Sequence, residues 1–174
     1  MSVLMANSRR DLEVHRYPAP VYVLVPAVAL VLQALLPRVI PERFTWFDLP
    51  LLVTMYFALG RRSPIQGMFM GSFLGLFQDA LTHHPLGING IAKTAAGYLA
   101  ASVGIRIDVQ NTIIRVMLNC ALSLLCSAIY LFIYRVLLGM DLEWNWWTTG
   151  LQAVGNSLLA LVLFPLLDRF QVRD

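Results

Sequence analysis

Asp79 and Lys93 are charged residues that lie within apolar segments, and they are the residues of this sequence best placed to do chemistry. An ionisable side chain at bilayer depth is costly, so it normally faces a protein interior or a cavity. A short polar turn separates the two segments, and in a helical hairpin the two charges would lie at similar depth. The sequence therefore predicts an ion pair. Such a pair either locks the hairpin, couples protons or ions, or docks a polar group of a partner.

The other polar residues do not form a catalytic pattern. His83 and His84 are adjacent in the turn, but a metal site needs a third ligand and Asp79 is the only nearby carboxylate. Asp141 and Glu143 lie near an interfacial tryptophan, where we interpret them as the end of a loop. The sequence contains no Gly-x-Ser-x-Gly, His-Glu-x-x-His or phosphate-loop motif. It predicts no catalytic, cofactor or metal site and hence no enzyme.

Composition places the chain in the membrane. It is 58% hydrophobic and 13% charged, with a mean hydropathy of +0.67, whereas a soluble domain has about 25% charged residues. The net charge of +3 comes from arginines at segment ends, which topology explains without nucleic-acid binding. Cys120 and Cys126 are six residues apart in one apolar run, so we interpret them as buried hydrophobic residues rather than a disulfide.

The elements that position these residues are predicted to be helices. Polar residues 1–17 are expected to form a cytoplasmic tail, residues 18–170 a single transmembrane helical domain, and residues 171–174 a second tail. Asp48 is a plausible N-cap of the second segment, with Pro50 in its first turn. At about 18 Å for twelve residues, this segment is short enough to be re-entrant or half-spanning. The six predicted segments are approximately 21–36, 49–60, 63–81, 88–104, 112–138 and 144–167, the first ended by Pro37.

Arginine placement predicts the orientation of this all-α bundle of about six transmembrane helices. If both termini are cytoplasmic, nine arginines lie on the inner side and three on the outer side. The positive-inside rule favours that arrangement. Trp144, Trp146 and Trp147 fit an interfacial belt at the outer end of the sixth segment.

Small residues at four-residue spacing predict close packing of the third and fourth segments, because glycine and alanine let helix backbones approach in lipid. The two small-residue faces are expected to meet in an antiparallel hairpin. They are Gly67, Gly71 and Gly75 on the third segment and Ala92, Ala96 and Ala100 on the fourth.

The turn between these segments contains further recognisable features. Gly87 and Asn89 are typical of turn and helix-cap positions, and Asn89 is predicted to cap the fourth helix. The whole stretch reads Gly71-Ser-Phe-Leu-Gly75-Leu-Phe-Gln78-Asp79, then Pro85-Leu-Gly87-Ile-Asn89-Gly, then Tyr98-Leu. This pattern resembles the rod shape-determining MreD family.

The resemblance implies a non-enzymatic inner-membrane scaffold of the bacterial cell-wall elongation machinery. It implies MreC as the direct partner, with RodA, a class B penicillin-binding protein and MreB in the wider complex, and membrane lipids around them. It also implies a fold similar to the S components of energy-coupling-factor transporters. A vitamin-binding S component is therefore the alternative function, although the first segment lacks the Ala-x-x-x-Ala motif typical of those proteins.

Overall fold

The structure is a computed structural model that describes residues 18–39, 47–82, 85–107, 111–140 and 144–170. These residues form six helices, as the sequence predicts. They are α1 (Ala19–Val39), α2 (Leu49–Arg61), α3 (Pro64–Thr82), α4 (Ile88–Gly104), α5 (Thr112–Phe132, continued by the π-helical turn Ile133–Leu137) and α6 (Trp146–Asp168).

Three of the helices are long and apolar enough to cross a membrane: α1, α5 with its π-helical turn, and α6. Their outward side chains are large and hydrophobic, as with Val23, Met117 and Val162, each more than 65% exposed. Such a surface suits lipid rather than water. The first helix also continues past Pro37 to Val39, so the predicted stop at that proline was wrong.

Helix α2 is the most enclosed element, although it has only 13 residues. Every residue from Pro50 to Gly60 is buried. One side of α2 packs with α1 and α6 in a cluster that includes Tyr56 and Phe164. The other side packs with α4 and α5 in a cluster that includes Met55. A helix that is apolar all round belongs either in a protein interior or in lipid, and α2 lies in the interior.

The α3–α4 hairpin is built on the predicted glycine face. A Cβ atom added at Gly71 would lie 2.1 Å from the carbonyl oxygen of Lys93, and one at Gly67 would lie 2.3 Å from that of Gly97. At Gly75 the corresponding distance to the Asn89 carbonyl oxygen is 2.4 Å. Only glycine permits this backbone contact, so the glycine half of the packing prediction is confirmed.

The alanine half of that prediction was wrong. Ala92, Ala96 and Ala100 belong to the buried cluster with Leu51 and Met55 of α2 and with side chains of α5. A helix has several faces, and four-residue spacing does not say which neighbour a face meets. The small alanines let the enclosed α2 approach α4 instead.

Several arginines lie at one end of the helix bundle. Arg61 and Tyr22 are hydrogen-bonded, which brings the end of α2 to the start of α1. Arg115 and Asp168 form an ion pair of 2.8 Å between the start of α5 and the end of α6. We call this the arginine-rich end of the bundle; Arg106 also lies there, just beyond α4.

Candidate functional site

Asp79 is held by the first turn of α4. It is completely buried, and its carboxylate accepts hydrogen bonds from the backbone N–H groups of Gly87 and Asn89 at 2.9 and 3.1 Å. The Asn89 side chain donates a third bond of 2.7 Å. A negative charge at a helix N-terminus is favourable because the unpaired N–H groups carry partial positive charge.

The local backbone explains how this arrangement forms. Gly87 is the N-cap of α4 and has a φ of +102°, a backbone conformation that residues other than glycine rarely adopt. Asn89 lies inside the first turn instead of capping the helix, so the predicted cap role was wrong. Because the Asn89 side chain does not cap the helix, its amide can donate to Asp79, and this hydrogen bond links α3 and α4.

Lys93 pairs with Asp48 and not with Asp79. Its ammonium lies 2.7 Å from Asp48 Oδ2, with the lysine side chain 1% exposed and the aspartate side chain 12% exposed. Lys93 Nζ also donates to Asn89 Oδ1 at 3.3 Å. The predicted Asp79–Lys93 ion pair was therefore wrong, because α2 brings a second carboxylate, Asp48, into the interior. Asp79 and Lys93 are linked only indirectly, since both form hydrogen bonds with the Asn89 side chain.

Asp48 also caps the N-terminus of α2, as predicted. Its Oδ1 accepts from the Leu51 N–H at 3.0 Å, and its own N–H donates to Asn156 Oδ1 of α6 at 2.8 Å. Gln33 of α1 donates to the Phe47 carbonyl and accepts from the Leu49 N–H, both at 3.0 Å. The N-terminus of α2 therefore lies between α1 and α6.

Five side chains, four of them buried and Asn89 half-buried, form what we call the buried polar cluster: Asp48, Asp79, Asn89, Lys93 and Asn156. Two carboxylates face one ammonium and two helix N-termini. Each helix N-terminus carries roughly half a positive charge. The cluster is close to neutral, and its members satisfy one another. Such an arrangement fastens helices together, since every charge has a partner within the protein.

Sequence reasoning identified three members of this cluster and assigned Asp48 only a capping role. It missed Asn156, which lies beside Ser157 in an otherwise apolar run, and it missed Gln33 on the first segment. Both are polar amides inside predicted membrane helices, and that feature could have indicated that they bind other helices. Their partners could not be identified without knowing how α2 is placed.

An apolar groove of about 510 Å³ runs along the outside of the α3–α4 hairpin. Gly87 lies at one end and Tyr98, 47% exposed, lines it further along α4. Small residues such as Ser72, Thr94 and Ala95 line the groove between larger ones. The predicted site residues therefore divide into an internal set and two that line this groove.

No group of three potential metal ligands occurs among the described residues. The predicted histidine turn, His83 and His84, and the acidic pair Asp141 and Glu143 lie outside the described ranges. Cys120 and Cys126 are both free thiols, and Cys120 is half-buried rather than buried as the sequence predicts. Cys126 is buried and donates to the Ala92 carbonyl at 3.4 Å.

Comparison with known families decides the assignment. The family model of rod shape-determining protein MreD matches residues 17–171, nearly the whole chain. The chain belongs to the MreD family. It is thus a rod shape-determining membrane protein, and its described residues form an all-helical fold. No curated protein and no solved structure matches the sequence.

Proposed function

We propose that this MreD-family protein is a non-enzymatic scaffold of the cell-wall elongation complex that binds MreC directly. The match over residues 17–171 carries the proposal. RodA, a class B penicillin-binding protein and MreB complete the wider assembly. The protein lies in the bacterial inner membrane with both termini cytoplasmic, and the arginine-rich end faces the cytoplasm.

The groove on the α3–α4 hairpin is the proposed contact for the single transmembrane helix of MreC. Its lining combines small residues, which admit a close backbone, with rim side chains such as Leu76, Ile91 and Tyr98. In lipid, helices associate through this kind of packing, since apolar burial alone gives no driving force. The rigid hairpin behind the groove keeps its shape fixed. The segments from His83 to Asn89 and from Asp141 to Trp147 are proposed to contact the periplasmic part of MreC.

A groove-filling variant tests this contact. Ala95 is half-buried in the groove, so Ala95→Trp adds bulk where the partner helix would lie. The matched control is Leu158→Trp on α6, at a position 60% exposed. We expect affinity-tagged MreC to recover at least tenfold less of the Ala95→Trp protein and a normal amount of the control. Equal recovery of both would refute the groove as the contact.

The same purification separates the scaffold from the S-component alternative. Recovery of MreC without an ATP-binding subunit supports the scaffold. A vitamin retained at stoichiometric occupancy, detected by mass spectrometry of denatured protein, would overturn it in favour of a carrier.

A further inference from the structure

Arg61, the last residue of α2, carries a charge that its hydrogen-bond partners do not neutralise. Its Nε donates to Gln66 Oε1 at 2.7 Å, and one terminal nitrogen donates to the Tyr22 hydroxyl at 2.9 Å. The guanidinium carbon also lies 5.0 Å from the centre of the Tyr22 ring. These partners are neutral, and no carboxylate within the described ranges pairs with Arg61. Arg115 at the same end differs, because it is paired with Asp168.

A cavity of about 250 Å³ lies beside this guanidinium, between α1, α2 and α3. Arg61 and its two neutral partners supply the polar part of the lining. Phe57 and Met70 are among the apolar side chains that supply the rest. A positive group next to an apolar cavity, at the end of membrane helices, matches the two-part chemistry of a lipid headgroup and its acyl chain.

The donor geometry of Arg61 suits an anionic ligand with several acceptor oxygens, such as a phosphate. A guanidinium has five N–H donors in a planar fork that fits phosphate and carboxylate oxygens. The two hydrogen bonds to Gln66 and Tyr22 use two of these donors, and the other three bind no group of the described residues. Basic pockets between transmembrane helices on the cytoplasmic side are a recurrent means of binding anionic lipid headgroups.

We propose that the Arg61 cavity binds the phosphate of an anionic phospholipid, with the first part of an acyl chain against Phe57 and Met70. Tyr22 and Gln66 hold the guanidinium in position, and α1 forms one wall. The bound lipid would tie α1 to the α2–α3 connection. This site lies at the opposite end of the bundle from the buried polar cluster, and it does not depend on MreC binding.

The test compares the unfolding temperature of the purified full chain in nanodiscs of phosphatidylcholine, whose choline cation already balances its phosphate, and in nanodiscs containing phosphatidylglycerol, whose headgroup has a net negative charge. We expect the anionic lipid to raise the wild-type Tm by about 3 °C or more. Arg61→Gln should lose most of that increase. The matched control is Arg106→Gln, which removes an exposed charge from the same end and should keep it. Inorganic phosphate added to phosphatidylcholine nanodiscs distinguishes a free anion from a lipid headgroup.

Three outcomes would overturn the proposal. The first is an equal wild-type Tm in the two lipids, which needs no variant at all. The second is an equal loss in Arg61→Gln and Arg106→Gln, since that indicates diffuse charge attraction. The third is a full effect from inorganic phosphate alone, which would assign the cavity to a soluble anion. If Arg61→Gln does not fold, Arg61→Lys keeps the charge without the planar fork, and an undiminished shift in that variant would also contradict the proposal.

Discussion

Lys93 Nζ lies 2.7 Å from Asp48 Oδ2, and this contact joins residues 45 positions apart in the chain. It fastens the short enclosed helix α2 to the α3–α4 hairpin. Asp48 in turn binds Asn156 of α6 through its backbone N–H. Asn89 links Lys93 to Asp79. One connected set of polar contacts therefore holds four helices, while the surrounding surfaces pack through apolar and small residues.

Removing the charge of Asp48 should strongly destabilise the fold. Asp48→Asn leaves the ammonium of Lys93 buried without a counter-charge, which typically costs about 3–5 kcal/mol. The control is Asp168→Asn, because that ion pair has a side chain 31% exposed and should cost about 1 kcal/mol or less. Thermal or denaturant unfolding in a fixed detergent measures both. Similar losses at the two positions would show that Lys93 finds other compensation.

A double replacement provides a sharper check of the same pair. Asp48→Leu with Lys93→Met removes both charges of this pair together, so neither partner is left buried without the other. We expect the double variant to be more stable than either single variant. Additive losses, with no coupling between the two positions, would mean that the 2.7 Å contact contributes little to stability.

Asp79→Asn should destabilise the hairpin by about 2–3 kcal/mol, because an amide nitrogen would face donors that now bind a carboxylate oxygen. Three hydrogen bonds to Asp79 depend on its two acceptors. His83→Ala is the comparison, since the sequence predicts a solvated turn at that position. If Asp79→Asn and His83→Ala both changed Tm and MreC recovery negligibly, Asp79 would contribute neither to stability nor to partner binding.

The glycine face can be tested with one methyl group. Gly71→Ala places a Cβ atom 2.1 Å from the Lys93 carbonyl oxygen, a distance that forces α3 and α4 apart. Overpacking of this kind costs about 1–3 kcal/mol or more. At Gly150 of α6 the added Cβ meets nothing within 4 Å, so Gly150→Ala should be neutral or slightly stabilising. A stable Gly71→Ala protein would contradict the tight hairpin.

Asn119 and Asn156 should respond in opposite directions to the same substitution. Both are fully buried, but neither amide atom of Asn119 has a partner among the described residues. Asn119→Leu is therefore expected to raise stability by about 1–2 kcal/mol, as it removes an unsatisfied polar group. Asn156→Leu should lower it, because it removes the acceptor for the Asp48 N–H. Denaturation curves of the two variants decide the matter, and destabilisation by Asn119→Leu would indicate an undetected partner.

The sequence by itself determined much of this protein. Composition identified a membrane protein, and hydropathy with proline and glycine positions located six helices close to their observed bounds. The Asp48 cap and the glycine face that packs on α4 were also predicted. These features depend on local chemistry and on spacing along one helix. The motif from Gly71 to Tyr98 likewise indicated the family, because it is a pattern of residue types along the chain.

Only the tertiary structure decided which polar groups meet. Two charges on one hairpin suggested a pair, but Lys93 binds Asp48 because α2 enters the interior beside α4. The alanine face likewise turned towards α2. Partner choice in the interior depends on how all helices share a limited volume, and burial penalises every unmatched charge. No local pattern contains that information, since the competing carboxylate lies 45 residues away.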